Sequence, residues 1–290
     1  MKVLISTDTS CLINYEVLGK YPISVFNLNV IIDNKEYLDG VTIKQDFLLQ
    51  EMNANKIIKT STPPLGMVID YFENLFAKGY DKIIHFTISS KLSSMYSLFT
   101  TVSKNYFDDK VIVIDGYSVS SVMLSHVLFA YDELQKGTEP EVIKNLVEER
   151  KHLNSIIYFI PNNLTALKNG GRISPALAAI GNTIGLKPVI LLKNGELVKD
   201  SMTRTTKKAF FEIINSLKET HSNSEFDFTL VDFGGNEAIV NAIYEHTTNT
   251  LGISPLKGII PINVCAHCGP GTIGFVVSPK INGKSIKDFI

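Results

Sequence analysis

The sequence predicts an α/β protein made of two α/β domains. The N-terminal domain is expected to hold a mostly parallel, Rossmann-like sheet, and the C-terminal domain a mixed sheet. Short apolar runs alternate with helical patterns through the first half. An Asn-Gly pair between two apolar runs in the second half predicts a hairpin and therefore an antiparallel strand pair. At 290 residues the chain can bury the cores of two domains.

The first half opens with strand and helix patterns in turn. Val3–Ser6 is a short apolar run that leads into the polar segment Thr7–Ser10, and it predicts the first strand. Val25–Ile32 predicts the second strand. Apolar residues at helical spacing then predict a helix over Thr42–Asn53.

Two hydroxyl-rich segments precede predicted helices. Thr60–Pro64 opens a helix with a regular apolar face, and Gly79 stands in the usual position after its end. Lys82–Ile88 is a predicted strand that runs into Ser89–Ser94, the second such helix start. Both segments therefore place serine and threonine at the N-terminus of a helix.

The first domain is completed by one more strand and two helices. Val111–Asp115 predicts the strand and Val119–Leu134 a helix. Thr138–Glu141 has the pattern of a capping box with proline in the first turn, and it opens a helix to about Leu153. Alternating strands and helices predict a mostly parallel sheet covered on both faces.

The second half begins with a strand over Ser155–Ile160, so we place the domains at residues 1–154 and 155–290. Ser174-Pro175 is expected to cap a helix over Ala176–Ile184. Asn194-Gly195 predicts the hairpin, which joins Val189–Lys193 to Glu196–Val198. The remaining predicted elements are helices over Thr205–Thr220 and Glu237–Thr247, a strand over Phe226–Phe233, and two closing strands.

Composition excludes several classes of function. Charged residues make up 20% of the chain and the net charge is −1, so neither nucleic acid nor an anionic membrane has a basic surface to bind. The longest apolar stretches have strand length, and no stable membrane insertion is expected. The first residues are too weakly apolar for a signal peptide. Three cysteines, an odd number, favour a reducing cytoplasm over a disulfide framework.

Candidate anion-binding residues lie in four segments. Ser61 and Ser93 belong to the helix starts described above, where unpaired N–H groups and the helix dipole favour carboxylate or phosphate. Arg172 follows Gly170-Gly171, immediately before a predicted helix start. His267 is expected in a loop between apolar strands, beside the glycine-rich turn 269–271, whose backbone N–H groups would face the anion. Each type of residue also has an ordinary structural role, since serine and threonine commonly only cap helices.

Cys265-Ala-His267-Cys268 has the spacing of a metal or redox motif. A structural zinc site needs a second ligand pair, and Cys11 is the only other thiol. We therefore interpret the cysteines as buried, small apolar residues and predict no metal and no cofactor.

Six segments in consistent order along the whole chain resemble the DegV family of bacterial fatty-acid-binding proteins. They are Thr7–Cys11, Thr60–Pro63, Ser89–Ser93, Leu167–Ser174, Leu186–Val189 and His267–Thr272. The chain departs from the family pattern at Thr62, where glutamine is frequent, at Ser94, where glycine is usual, and at Cys268, where threonine is common.

The resemblance implies a non-catalytic protein that binds one long-chain fatty acid between its domains. It also implies a partner, an ATP-dependent fatty acid kinase that converts the presented acid to acyl phosphate for phospholipid synthesis. The carboxylate contacts map to Ser61 and Ser93, with Arg172 and His267 in the polar network, and Thr60 and Thr62 beside them. An apolar tunnel would hold the tail, with Met67, Met95, Phe99, Ile180 and Ile184 as candidate lining residues, although packing in the core is the default interpretation for each of them.

The alternative hypothesis is an enzyme, a hydrolase or acyl transferase that uses Ser93 with His267 and Asp8. No nucleophile-elbow motif surrounds the serine, and such a triad needs a base oriented by a buried acid.

Overall fold

The computed structural model describes residues 1–172 and 185–290. Its strands are β1 (Val3–Asp8), β2 (Ile23–Phe26), β3 (Asn29–Ile32), β4 (Lys35–Leu38), β5 (Ile58–Thr60), β6 (Lys82–Thr87), β7 (Val111–Asp115), β8 (Ile156–Ile160), β9 (Lys187–Lys193), β10 (Glu196–Thr203), β11 (Phe226–Phe233), β12 (Leu256–Ile259) and β13 (Thr272–Pro279). Its α-helices are α1 (Gln45–Asn53), α2 (Leu65–Phe76), α3 (Met95–Tyr106), α4 (Ser120–Gln135), α5 (Pro140–Arg150), α6 (Thr165–Asn169), α7 (Thr206–Thr220), α8 (Glu237–Leu251) and α9 (Ile262–Cys268).

The first sheet is parallel throughout and has the strand order β2-β1-β6-β7. Neighbouring residues of its central strands point to opposite faces. Leu4 and Ile83 join a core cluster with α2 and α3, whereas Ile5 and Ile84 join a second cluster with α4 and α5. The predicted parallel sheet, covered on both faces, is confirmed.

The prediction of a single strand over Val25–Ile32 is wrong. The chain breaks at Asn27–Leu28, where Leu28 N donates to Thr9 Oγ1 and Asn27 Nδ2 donates to Asp39 O. The two halves then enter different sheets, because β3 lies in a small antiparallel sheet of order β4-β3-β5. Both β2 and β3 contain buried apolar residues, so the apolar pattern runs on from one strand to the other. Periodicity alone therefore did not show the break between them.

The second sheet is mixed, as predicted, with the order β10-β9-β8-β13-β11-β12. Only the β11–β12 pair is parallel. Asn194 and Gly195 join β9 to β10 with φ values of 52° and 81°, the left-handed conformations that an Asn-Gly hairpin turn requires. One face of this sheet packs on α7 and α8 through residues such as Phe275 and Val277.

Two further predictions near helix ends need correction. The capping box at residues 138–141 does not form, because Thr138 Oγ1 donates to Glu133 Oε2 and α5 begins after Glu139 without a side-chain cap. His267 does not lie in a loop, since the segment between the closing strands contains helix α9. The predicted helix over Ala176–Ile184 lies outside the described residues.

The strands of the parallel sheet precede residue 155 and those of the mixed sheet follow it. The last residues nevertheless return to the first half, where Ile286 and Phe289 pack with α4 and Tyr21 Oη donates to Phe289 O at 2.8 Å. The division at residue 155 remains a prediction.

Candidate functional site

A cavity lies between the first half of the chain and the mixed sheet. It encloses about 1090 Å³, including the space at its mouth. Residues of both halves line it, from Leu28 and Ile88 in the first half to Ile157 and Val276 in the second. Most of its wall is apolar side chain, and its polar groups include all six residues predicted from the sequence. A large apolar cleft with a few convergent polar groups is the usual form of a small-molecule site.

The face of the mixed sheet that α7 and α8 leave uncovered forms the apolar floor. Ile157, Phe159 and Val276 alternate along β8 and β13 with the residues that face the helices. Gly274 stands between them in register with Phe159 and Val231. A Cβ at this glycine would lie 3.0 Å from the Val231 side chain, so its absence widens the cavity at the centre of the sheet.

The two hydroxyl-rich helix starts meet at one end of the cavity. Ser61 and Thr62 lie between β5 and α2, and Ser93 lies between β6 and α3, at the carboxyl end of a parallel strand. Thr62 Oγ1 and Ser94 Oγ are 2.8 Å apart and share a hydrogen bond. Two residues that depart from the family pattern therefore contact each other and join the two segments.

His267 connects this end to the second half of the chain. Its Nε2 and Thr60 Oγ1 are hydrogen-bonded at 2.8 Å. A Cβ at residue 170 would lie only 2.1 Å from His267 Nδ1, so glycine is required there for the ring to fit. This contact gives a physical reason for the pairing of the 170–172 and 267–272 segments noted in the sequence.

Arg172 lies at the same end of the cavity. Its Nε donates to Leu92 O at 3.2 Å, and its Nη1 donates to Gly170 O at 2.6 Å. The first bond places the guanidinium beside Ser93, although the two segments are 80 residues apart. A fixed positive charge next to several hydroxyl groups favours an anion.

Burial, with a smaller contribution from the charge of Arg172, lowers the pKa of His267 to about 4. The imidazole is therefore neutral at pH 7. Within the described chain Nδ1 has no hydrogen-bond partner, while Nε2 bonds Thr60. A neutral His267 orients Thr60, and Arg172 remains the formal positive charge at this end of the cavity.

The expectation that the 269–271 turn presents its N–H groups to an anion is wrong. Gly269 N donates to Cys265 O at 3.0 Å, and Gly271 N donates to Phe233 O at 2.8 Å. Pro270 has no N–H group. Both glycines have positive φ values, 81° and 80°, so the turn positions α9 against β13 rather than contacting a ligand.

The residues of the alternative catalytic hypothesis do not assemble into a triad. Asp8 is fully buried, and its carboxylate accepts hydrogen bonds from Ser10 and from Ile88 N. His267 bonds Thr60, and Ser93 Oγ accepts from Met95 N at 3.4 Å. The acid thus orients no imidazole, which removes the geometric basis of that proposal.

All three cysteines are buried free thiols, as interpreted from the sequence. Cys265 Sγ donates to Ile260 O at 3.2 Å, and Cys268 lines the cavity. Across residues 1–172 and 185–290, no group of three or more His, Cys, Asp and Glu side chains is placed to hold a metal ion. No helix in those ranges is long and apolar enough to cross a membrane.

The tail-lining predictions were less accurate than those at the polar end. Met95 lines the cavity, but Phe99 is wholly buried among Phe26, Phe72 and His85 in the core. Met67 also packs on that core rather than on the cavity. Ile180 and Ile184 lie outside the described residues.

Sequence analysis missed Asn29 and Asn263, two buried amides that line the cavity. Asn263 precedes His267 by four residues on α9, which puts both on one helix face. Recognition of α9 as a helix would have revealed that Asn263 shares a face with His267. Asn29 was hidden by the undetected break between β2 and β3.

Comparison with known proteins identifies relatives along nearly the whole chain. The model of the DegV family, described as an uncharacterised protein family, matches residues 2–280. One DegV domain-containing protein of Clostridium acetobutylicum is 26% identical over 288 residues, covering 96% of this chain and 99% of that protein. Another from the same species is 31% identical over 226 residues, covering 77% of this chain and 80% of that protein.

Solved structures with the same fold are also similar over nearly their full length. DegV of Bacillus subtilis, described as a fatty acid binding protein, has a TM-score of 0.84 at 25% identity and covers 97% of this chain and 100% of that one. A DegV family protein of Thermus thermophilus, described by its fatty acid binding, has a TM-score of 0.86 at 24% identity. It covers 96% of this chain and 100% of that one, and it shows the shared fold.

Proposed function

This chain belongs to the DegV family, and from that premise we propose that it binds one long-chain fatty acid without chemical change. The observation that carries the proposal is the cavity between the two halves of the chain, which has an apolar floor and a polar end at Ser61, Ser93, Arg172 and His267. Solved relatives from Bacillus subtilis and Thermus thermophilus, described as fatty acid binding, share the fold. The site needs no cofactor.

The polar end supplies what a carboxylate needs in order to leave water. Ser61 and Ser93 provide hydroxyl donors, and each hydrogen bond to a charged group contributes about 1.5–3 kcal/mol. Arg172 balances the charge. Thr60 and Thr62 hold the neighbouring segments through their bonds to His267 and Ser94.

The apolar floor supplies the larger part of the affinity. Transfer of each methylene from water contributes roughly 0.8 kcal/mol before the chain is ordered. The uncovered face of the mixed sheet and the side chains opposite it, such as Ile88 and Met95, would enclose the tail. A head group alone would therefore bind weakly.

We further propose that the protein presents the carboxylate to an ATP-dependent fatty acid kinase in the cytoplasm. The support is the family resemblance together with exposure, because Ser61, Thr62 and Ser94 at the polar end are exposed to solvent. A carboxylate held there is accessible to a second protein while its tail stays covered.

Native mass spectrometry of the protein purified from bacteria tests the binding proposal. We expect a noncovalent adduct with the mass of one fatty acid, released by denaturation. An unliganded protein that also fails to bind added palmitate or oleate in calorimetry would contradict it. A covalent acyl-enzyme mass would support the hydrolase instead.

Arg172→Ala tests presentation. Acyl phosphate formation with a fatty acid kinase should fall at least as much as fatty acid affinity, because the guanidinium lies beside the exposed head-group end. Lys218→Ala, an exposed cation on α7, is the matched control. Full kinase activity with normal binding in Arg172→Ala would remove this residue from the site.

A further inference from the structure

A second cavity of about 540 Å³ lies at the junction of the two halves. Leu192 lines both cavities and stands between them. Three segments build the second cavity: Tyr117–Ser118 with the following helix α4, the connection Lys151–Ser155, and the β9–β10 turn at Lys193–Gly195. The proposed fatty acid function uses none of these three segments, and Leu192 is the described residue that the two cavities share.

The lining of this cavity is polar and basic. Lys151, His152 and Lys193 contribute basic groups from two segments. Hydroxyl and amide groups complete the wall, and they belong to Ser118, Ser155, Asn154 and Asn194. Among the described lining residues there is no aspartate or glutamate. The chemistry therefore favours an anion over a cation or an apolar ligand.

His126 is the least expected member of the lining. It is 1% exposed in the middle of α4, and Nδ1 has no hydrogen-bond partner within the described chain. Burial, with the charges of Arg150 and Lys151, holds the pKa of its imidazole well below the usual range. A buried polar atom without a partner is costly, and the imidazole that carries it lines the cavity.

Lys151 is also buried, with 8% of its surface exposed. Its Nζ donates to both carboxylate oxygens of Glu148, each at 2.7 Å. A lysine at the carboxyl end of α5 is favourable for the helix by itself. The helix dipole does not require a buried lysine, however, and this one lies at the wall of a cavity with Lys193 and His126.

The position in the fold supports a ligand site independently of charge. Tyr117 and Ser118 follow Gly116 after β7, so they lie beyond the carboxyl end of the edge strand of the parallel sheet. Ligands of open α/β sheets bind at such ends. The turn at Gly195 is also fixed there, because Ser89 Oγ donates to Gly195 O at 2.7 Å.

We propose that this second cavity binds a small phosphate-bearing anion between the two halves of the chain. Lys193 supplies the charge, Lys151 supplies a third N–H beside the two that Glu148 accepts, and His126, Ser118 and Ser155 supply further hydrogen bonds. Donors on several sides suit the three or more acceptor oxygens of a phosphate better than the two oxygens of a carboxylate. The proposal goes beyond fatty acid binding and does not depend on it.

Calorimetric titration of the full chain with inorganic phosphate tests the site, and a parallel titration with a nucleoside monophosphate separates free phosphate from a phosphate ester. Sodium chloride at equal ionic strength is the ionic control. We expect saturable binding of at least one of the two, with a dissociation constant below about 1 mM. Lys151→Gln and His126→Gln should each weaken it about tenfold or more, whereas Lys218→Gln on α7 should leave it unchanged.

Lys193→Gln keeps the test decisive if a buried substitution unfolds the protein, because Lys193 is exposed in a hairpin turn. It should also weaken phosphate binding and leave palmitate binding intact. The proposal is overturned if neither phosphate compound binds, or if Lys193→Gln and Lys218→Gln bind phosphate equally well. A wild-type protein that binds phosphate but fails to bind palmitate would count against the fatty acid proposal alone.

Discussion

The two halves of the chain contribute to the main cavity in different ways. The small antiparallel sheet and the parallel sheet of the first half offer the ends of strands, where Thr60 closes β5 and Ser93 follows β6. The mixed sheet offers a whole face, with Ile157, Gly274 and Val276 spread across it. The ends of these strands lie beside hydroxyl side chains and helix N-termini with backbone N–H groups. The face of a sheet presents side chains only, because its backbone N–H groups are paired within the sheet. Polar recognition and apolar accommodation therefore come mainly from different halves of the chain.

The largest expected effect comes from filling the floor of the mixed sheet. Gly274→Leu should weaken palmitate binding by about 2 kcal/mol or more, roughly 30-fold, because the new side chain displaces two or three methylenes. The φ of this residue of β13 is not in the left-handed region, so the backbone allows a side chain, while the Val231 side chain must shift by a few tenths of an ångström. Calorimetry with palmitate and octanoate measures the loss.

Gly66→Ala is the control, because a Cβ at that exposed glycine of α2 meets no atom within 4 Å. Its palmitate affinity should equal that of the wild type. If Gly274→Leu folds and binds palmitate normally, the mixed sheet is not the floor of the tail site.

Removal of single donors at the strand ends should have a somewhat smaller effect. Ser61→Ala and Ser93→Ala should each lose about 1–3 kcal/mol of fatty acid affinity without unfolding. Ser93 should lie in the upper part of that range, since it is less exposed than Ser61. Titration of oleate, with Ser97→Ala on the exposed side of α3 as the control, checks both. Unchanged affinity in both variants would exclude the assigned carboxylate contacts.

Substitutions of His267 test the hydrogen bond to Thr60 that connects the two halves of the chain. His267→Gln keeps a donor toward Thr60 and should retain part of the affinity, whereas His267→Ala should lose more of it. Equal losses in the two variants would argue that the imidazole only fills space. An esterase activity of the wild type that both variants lose would defeat the binding proposal.

The pH dependence of unfolding gives a second measurement on the same residue. Unfolded histidine titrates near pH 6.5, and folded His267 near pH 4, so acid protonates the unfolded state first. Stability contributed by this residue is complete above pH 6.5 and falls as the pH is lowered toward 4. Between pH 7.5 and 5, His267→Gln should lose about 2 kcal/mol less in urea unfolding than the wild type. An identical loss would contradict the depressed pKa.

The smallest effect is expected at the cysteines. Replacement of Cys265 by Ala and Cys268 by Thr should change palmitate affinity by less than about threefold, because neither thiol carries charge or holds a metal in our interpretation. Some stability should be lost, since Cys265 Sγ donates to Ile260 O. Elemental analysis of the wild type completes the test, and stoichiometric zinc would show the interpretation to be wrong.

Local patterns in the sequence predicted most elements of the fold. Short, mostly apolar segments predicted β7 and β11 at their observed bounds, and Asn194-Gly195 predicted the hairpin. The same patterns missed the break at Asn27–Leu28 and helix α9. In both places burial by neighbouring elements, and not local preference, decides the conformation.

The six residues proposed for the head group were named from the sequence by residue type, position at predicted helix starts and glycine turns, and family resemblance. The chain alone thus determined which groups are available. Only the tertiary structure decided which of them meet, because the contacts between Arg172 and Leu92 and between Thr60 and His267 join segments 80 and 207 residues apart. The tertiary structure also makes the N–H groups of Gly269 and Gly271 unavailable to a ligand, because the carbonyl oxygens of Cys265 and Phe233 accept their hydrogen bonds. Hydrogen-bond partners far apart in sequence are set by packing, which no local pattern encodes.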